Sequence, residues 1–457
     1  MINDVKSLRR EFQPMLRLAI PLALAELGWM TMSIVDTMMV GRLPDSAVAI
    51  GAVSLGSVIF YAFAIFGNGM LLGLDTIVSH AFGAGDVEDC HRSLVHGVYL
   101  SFATAPLLMS CVWGLIPLLE RFGIEPNVLH QAIPYLKALI WSTLPLLLYS
   151  AFRRYLQAMN LVKAVTFALV SANLVNLAGN WILIYGHFGF RSMGVIGSGW
   201  ATCVARIYMA ALLLGYILYH DRRHETGLMQ TRLHPSPPRM RRLIGLGLPA
   251  AMQLTLEVGV FAAATALIAR LDAVSLAAHQ IALNTASLTF MVPLGISSAA
   301  AVRVGHALGR RDVRGASHAG TTAILLGAGF MSCAALAFLL FPKAIVRMYT
   351  PNADVIRTGV SLLAVAAFFQ LFDGVQVVAT GALRGAGDTR TSMISSLVTY
   401  WVLGLPLGAY LCFRRGWGAV GMWAGLCLAL ILTGIFLLGM WRHRVNRLAE
   451  SFSRAAA

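Results

Sequence analysis

The chain says nearly the same thing twice, and that duplication limits what it can fold into. Around Pro21 it reads LAIPLALAELGWMTMSIVDTMMVGRL, and around Pro249 it reads LGLPAAMQLTLEVGVFAAATALIARL. SHAFGAGDV (Ser79 to Val87) is answered by GHALGRRDV (Gly305 to Val313). Pro126-Asn127 pairs with Pro351-Asn352, Leu156 with Leu383, and Gly194-x-x-Gly197 with Gly418-x-x-Gly421. The offsets are 228, 226, 225, 227 and 224, so only small insertions separate two whole halves. In a hydrophobic chain, two such halves are the architecture of a transporter with its site at the repeat interface.

The halves belong in lipid. The sequence is 58% hydrophobic and 12% charged, against roughly 25% charge in a soluble domain. Its apolar runs are continuous rather than alternating, which excludes a β-barrel. A bilayer core takes about 20 residues of helix. Twelve spans follow, over 14–41, 46–81, 92–119, 131–158, 163–186, 194–219, 241–270, 275–307, 316–342, 355–383, 391–413 and 417–441. The second and eighth exceed one straight crossing and must tilt, bend or protrude. The expected fold is an all-α integral membrane protein of twelve transmembrane helices in two six-helix bundles.

Charge sets the orientation. The chain carries a net +15. With alternate loops assigned to alternate sides and the N-terminus inside, 24 of the 35 Lys+Arg residues fall inside and 10 outside, with Arg206 within a span. That is a positive-inside bias, with both termini cytoplasmic. No soluble basic domain exists to bind nucleic acid. The six cysteines, at 90, 111, 203, 333, 412 and 427, lack metal spacing, and most lie in apolar spans where they read as small buried thiols. The first apolar stretch is too long for a signal peptide and carries Glu26 and Asp36. HExxH, GxSxG and similar motifs are missing from the spans, so an enzyme is not expected.

The one substantial polar break, HDRRHETGLMQTRLHPSPPRMRR (His220 to Arg242), reads as a cytoplasmic linker. It divides an N-terminal bundle at 1–219 from a linker at 220–240, and from a C-terminal bundle with a short basic tail at 241–457. Six spans per half make the repeat parallel, with its pseudo-two-fold axis along the membrane normal. Pro21 and Pro249 are repeat equivalents, so each half bends its first helix at one place and has a candidate hinge there.

A charge at the centre of a membrane helix costs roughly 2.5–3.5 kcal/mol, so each such residue needs a partner or a task. Asp36 lies six residues before Arg42, Asn180 seven before His187, and Thr202 eight after Gly194. At about 1.5 Å per residue these depths agree, roughly 9–12 Å from the outer end. Asn173, Asn176 and Asn180 share one helix face. A carboxylate, amides and a hydroxyl at one depth suit an all-oxygen cation cage or a hydrogen-bonded proton site, or else an interhelical polar clamp. Glu257 and Asp373 fall near mid-span in the second half, where few cations are available. Two buried carboxylates repel and would share a proton or a Na⁺. Asp75 is expected to lock a helix end, and Arg206 is the candidate partner for Glu26. His80 and His306, repeat equivalents at inner helix ends, read as packing residues.

These residues resemble the multidrug and toxic compound extrusion (MATE) transporters, along essentially the whole chain. The carriers are Pro21 with VDTMMVGRL (Val35 to Leu43), LDTIVSHAFGAGD (Leu74 to Asp86), the Pro126-Asn127 and Pro351-Asn352 pairs, and ALRGAGDTR (Ala382 to Arg390). The resemblance implies a V-shaped pair of bundles around a central cavity, without cofactors, exporting organic cations or other amphipathic compounds in exchange for H⁺ or Na⁺. It carries cation coupling onto Asp36, Asn176, Asn180 and Thr202 in the first half. In the second half Glu257 and Asp373 match the pair of the NorM-like branch. Na⁺ is a candidate at Asp36 and Asn180, or at Glu257 and Asp373. Some relatives carry an aromatic hydroxyl where this chain has Phe369, and often a second carboxylate where it has Asn180. Both departures thin the Na⁺ ligand set and favour H⁺.

The expected function is a cation-coupled efflux antiporter, a monomer in the lipid bilayer of a bacterial inner membrane. A lipid-linked saccharide flippase of the same superfamily is the alternative. It would want a cationic cavity, whereas the candidate residues here are acidic. The duplication also fails where chemistry is concerned. Under the offset of 228, Asp36 faces Ala264, and Glu257 faces Trp29. Each half is therefore expected to carry its own kind of cation site.

Overall fold

The computed structural model describes residues 2–231 and 233–456. The described residues form helices and no strands, in the order α1 (Ile2–Val40), α2 (Ser46–Met70), α3 (Gly73–Gly83), α4 (Val87–Leu119), α5 (Pro126–Ile140), α6 (Thr143–Ala158), α7 (Val162–Tyr185), α8 (Val195–His224), α9 (Pro237–Ile268), α10 (Ala273–Gly309), α11 (Val313–Leu340), α12 (Pro342–Arg347), α13 (Ala353–Gly385), α14 (Arg390–Ser396), α15 (Leu405–Ala409) and α16 (Gly418–Ala456). Eleven stretches are long and apolar enough to cross a membrane, and α5 with α6, bent by 46°, makes a twelfth. The chain is a multi-pass membrane protein.

The overlong second span is broken. α2 ends at Met70 and α3 begins at Gly73. The overlong eighth span stays one helix, α10, with Pro293 inside it. The penultimate span is α14 and α15 interleaved with π-helical stretches at Leu397–Gly404 and Tyr410–Arg414. Pro406 lies between the two stretches. It lacks an N–H, and its ring excludes the carbonyl four residues back, so a plain α-helix does not run through it.

The repeated GD-V motifs are turn chemistry. Asp86 caps α4 by accepting from the Asp89 N–H at 2.8 Å, and Asp312 caps α11 by accepting from Gly315 N–H at 2.8 Å. The residue before each cap is left-handed, Gly85 at φ 78° and Arg311 at φ 59°. A second repeat pair, Asn160 and Gly387, takes the same conformation at φ 62° and 78°. Glycine and asparagine tolerate it; Arg311 does so at a steric cost.

The helices form two compact units. One comprises Met1–Ala23 with Met252–Ala457, the other Leu24–Ala251. The boundaries fall inside α1 and α9, two residues after Pro21 and two after Pro249. Each first helix thus starts in one unit and ends in the other. Small residues at the crossings make this possible. In the Leu24–Ala251 unit, a Cβ on Gly247 would sit 2.0 Å from the Met70 carbonyl oxygen, and one on Gly69 would sit 2.4 Å from Ala251 Cα. In the other unit, a Cβ on Gly295 would meet Ala23 N at 2.5 Å. Ion pairs hold the same exchanged segments: Arg239 of α9 with Asp89 of α4, and Glu11 of α1 with Arg303 of α10. Positions 11 and 239 are repeat equivalents with opposite charges, each answered by an opposite charge in its own unit.

The linker is tied to the Leu24–Ala251 unit. The Asp221 carboxylate accepts from Thr226 Oγ1 at 2.6 Å and from Leu228 N–H at 2.8 Å. Ser236 N–H donates to His96 Nε2 at 2.9 Å, and His91 Nε2 lies 3.0 Å from the Thr226 carbonyl oxygen.

Candidate functional site

In the Leu24–Ala251 unit, the residues placed at one depth by counting along the spans meet around Asp36. This carboxylate belongs to α1. Asn180 Nδ2, on α7, donates to Asp36 Oδ1 at 2.6 Å, and Thr202 Oγ1, on α8, donates to Oδ2 at 3.1 Å. Asn176, one turn before Asn180, accepts from Asn180 Nδ2 at 3.2 Å through its Oδ1. All four side chains are buried. Asn180 Oδ1 and Asn176 Nδ2 have no hydrogen-bond partner, so the cluster holds one unused acceptor and one unused donor. Asn173 takes another role, donating to the Gly28 carbonyl at 3.2 Å and tying α7 to α1.

Arg206 sits one helical turn after Thr202 on α8. Its guanidinium donates to Ser142 Oγ at 2.5 Å and Tyr61 OH at 3.1 Å, and lies 4.7 Å from the Phe60 ring centroid. This corrects the expected Glu26–Arg206 pair. Glu26 instead accepts from Arg153 of α6 in an ion pair whose side chains are 13% and 9% exposed. From the sequence only Arg206 was matched to Glu26, and Arg153 was missed; the packing of α1 against α6 selects it. Asp75, in the first turn of α3, pairs with Arg154 at 3.3 Å. That pair fastens the segment after the break in the second span.

In the Met252–Ala457 part of the other unit, Glu257 is the hub. Its two oxygens accept from Gln253 Nε2, one turn earlier on α9, and from Gln376 Nε2 on α13, each at 2.6 Å. Tyr400 OH, from the first π-helical stretch, donates to Gln376 Oε1 at 3.0 Å. Asp373 is buried three residues before Gln376 on the same helix. Phe369, one turn before Asp373, stacks on Trp423 with ring centroids 5.7 Å apart. Gln253, Gln376 and Tyr400 were missed in reading the sequence, where attention went to charge. Gln253 at i−4 from Glu257 and Gln376 at i+3 from Asp373 were the available signals.

The two clusters share a design. Each is a buried carboxylate met by carboxamide N–H donors, with hydroxyls alongside. Such a group keeps lone pairs free beside the bonds it accepts, so it can take up a proton or a cation there. Next to the first cluster, an apolar groove of about 540 Å³ is lined by Val35, Met38, Leu174, Leu177 and Trp181, with Arg42 beside them. The expected hinge residues Pro21 and Pro249 lie inside α1 and α9, beside the unit boundaries.

Comparison with known proteins agrees with the duplication. The family model MatE matches residues 21–182 and again 249–410. Both ends of the second match lie 228 residues after those of the first, the offset of Pro21 from Pro249. A probable multidrug resistance protein NorM of Mesorhizobium japonicum is 37% identical over 443 residues, covering 95% of this chain and 94% of the relative. The multidrug resistance protein NorM of Vibrio cholerae is 33% identical, covering 94% of each. Among solved structures, the eukaryotic MATE transporter AtDTX14 superposes with a TM-score of 0.86 at 19% identity, covering 97% of this chain and 99% of that one. An outward-facing MATE family transporter of the MOP superfamily gives 0.86 at 18%, covering 96% and 97%. At those identities the structures speak for the fold, and the sequence relatives carry the rest. With one family model matched in register on each repeat and full-length relatives above 30% identity, the chain belongs to the MatE family of membrane transporters.

Proposed function

We propose that this protein is a secondary active efflux antiporter that exports organic cations or other amphipathic compounds in exchange for H⁺ or Na⁺ by alternating access. The observation that carries the reading is the buried Asp36 carboxylate, held by Asn180 and Thr202 from two other helices. A lone buried carboxylate is costly in a membrane helix and is retained where it does work. The relatives' designation as multidrug resistance proteins supports the substrate class proposed here. Ion binding at Asp36, or at Glu257 and Asp373, would lower affinity for the substrate, and linkage makes that antagonism reciprocal. Pro21 and Pro249 would let the first helix of each repeat bend during the exchange. We take the protein to act as a monomer in a bacterial inner membrane with both termini cytoplasmic, an orientation supported by the positive-inside bias.

The test is efflux of a cationic dye from proteoliposomes under separately imposed H⁺ and Na⁺ gradients. One of the two should drive efflux in the wild type. Asp36→Asn, and the pair Glu257→Gln with Asp373→Asn, should abolish it. Ion-driven efflux that persists unchanged in both variants overturns the site assignment.

A further inference from the structure

Two histidines occupy the end of α8. His220 and His224 stand four residues apart, so they share one helix face on successive turns. Their ring centroids lie 4.4 Å apart. Tyr216, one turn earlier on that face, has its ring centroid 6.3 Å from that of His220. His224 is exposed and His220 half-buried. Among the described residues neither imidazole has a hydrogen-bond partner. The contrast with other histidines is sharp: His91, His96 and His279 are each bonded through both ring nitrogens. A neutral imidazole whose nitrogens are unspent has a lone pair to give to a metal.

We propose that His220 and His224 form a chelating site for a divalent transition metal of the zinc, nickel and copper class, where α8 meets the linker. Imidazole nitrogen suits these metals, whereas Mg²⁺ and Ca²⁺ want oxygen. Two histidines at i and i+4 present both rings to one ion, the spacing on which helical zinc sites are built. Zinc takes imidazole nitrogen at about 2.0–2.1 Å, so two such nitrogens lie within roughly 4 Å of each other. Rings 4.4 Å apart reach that by small side-chain rotations. The surroundings favour a cation. A helix C-terminus attracts positive charge, and the pair sits in the last two turns of a 30-residue helix. The Asp221 carboxylate is next to His220 in sequence, but it is spent on Thr226 Oγ1 and on the Leu228 and Met229 N–H groups. It therefore adds a fixed negative charge rather than a ligand. Arg223 turns away to donate to Tyr219 OH at 3.1 Å. Among the described residues no three His, Cys, Asp or Glu side chains converge on one ion. The site thus has two protein ligands, with water completing the coordination, and it exchanges its metal with solvent. Occupying it ties the end of α8 together, just before Glu225 turns left-handed at φ 49° and the linker begins. A metal that binds the wound turn and not the frayed one stabilises the wound turn.

Zinc binding to the purified full chain, prepared without a histidine tag, tests this independently of transport. The chain competes for zinc with a colorimetric chelator. His220→Ala and His224→Ala should each weaken the tightest binding at least about tenfold, a change of about 1.4 kcal/mol. His234→Ala, which removes a linker histidine outside the pair, should leave it unchanged. Arg222→His combined with His224→Ala keeps two histidines in the segment but two positions apart, on different faces, and should not restore binding. Hydrogen exchange at the amides of 221–225 should slow on adding zinc to the wild type and stay unaltered in His224→Ala. Tight zinc binding that survives both single substitutions overturns the proposal. So does a wild type that binds zinc no better than the double variant, or a rescue by Arg222→His. Zinc binding that leaves the exchange of 221–225 unaltered overturns the clamping of α8.

Discussion

Replacing Arg153 with methionine would strand the Glu26 carboxylate inside the Leu24–Ala251 unit. The two side chains are 9% and 13% exposed, so the pair lies nearer the buried class than the exposed one. Exposed ion pairs contribute about 0–1 kcal/mol. Removing one member of a buried pair costs about 3–5 kcal/mol, because the remaining charge has lost its compensation and cannot reach water. Arg153→Met should therefore destabilise by about 3–5 kcal/mol. Glu26→Gln added to it should recover much of the loss, since no stranded anion remains. The measurement is a double-mutant cycle from reversible unfolding in mixed detergent micelles. Residues in one ion-pair network couple by about 0.5–3 kcal/mol, and Glu26 with Arg153 should lie at the upper end.

The same cycle discriminates between partners. Glu26 with Arg206 should couple by less than about 0.5 kcal/mol, the additivity expected of separate sites. Arg206 makes its hydrogen bonds to Ser142 and Tyr61 and none to Glu26. A larger coupling to Arg206 than to Arg153 would refute the assignment. An additive Glu26–Arg153 pair would refute the claim that burial sets its energetics.

Two further perturbations probe the fold. Gly247→Ala places a Cβ 2.0 Å from the Met70 carbonyl oxygen, and Gly295→Ala places one 2.5 Å from Ala23 N. Both obstacles are backbone, so each change should cost about 1–3 kcal/mol or more, read as loss of monodisperse protein on heating. Gly245→Ala, with nothing within 4 Å, is the neutral control. At the N-terminal end of α10, Asp272 accepts from Ser275 N–H and Oγ, each at 2.7 Å, and these bonds hold its carboxyl below the usual carboxylate range. A depressed value means stability that is present above the ordinary carboxylate pKa and lost as pH falls through the folded one. Asp272→Ala should loosen the first turn of α10 by about 1 kcal/mol at neutral pH. Amide exchange at Ala273–Leu276 should show it, with the difference from wild type fading in acid.

How far the sequence was legible depends on what each feature obeys. The duplication was plain, because offsets survive any folding, and the family match repeats it at 228. Asp36, Asn180 and Thr202 could be brought together by counting depth, since a membrane helix rises at a fixed increment from a recognisable end, and Asn176 joined them by sharing a helix face with Asn180. Depth does not supply azimuth. Arg206 was matched to Glu26 by depth alone, and only packing shows that Arg153 presents the face that meets it. Tyr400 was hidden for a related reason. It lies in a π-helical stretch, where the 3.6-residue period fails and facing residues cannot be counted. The break between α2 and α3 falls at Leu71-Leu72, two apolar residues with no turn signal of their own. Beside it, Gly247 of α9 lets the Met70 backbone approach, a contact that no local pattern announces.

The asymmetry of the two repeats then acquires a physical form. Both keep the same turns, with Asp86 and Asp312 as caps and left-handed residues before them. Both exchange the start of their first helix across the unit boundary, at equivalent prolines. Polar chemistry breaks the symmetry. The first repeat sets a carboxylate and a guanidinium around one small space, so its charges are balanced within the cluster. The second surrounds Glu257 with neutral carboxamides and a tyrosine, and buries Asp373 one turn from Gln376. Taking up a proton or a metal ion adds one positive charge to either cluster, but in the first that charge would arrive where a guanidinium already stands and in the second where the bonded neighbours of Glu257 are neutral. The duplicated scaffold thus carries two acidic clusters whose polar surroundings differ in charge, and that difference was introduced residue by residue on helices whose turns and caps stayed the same.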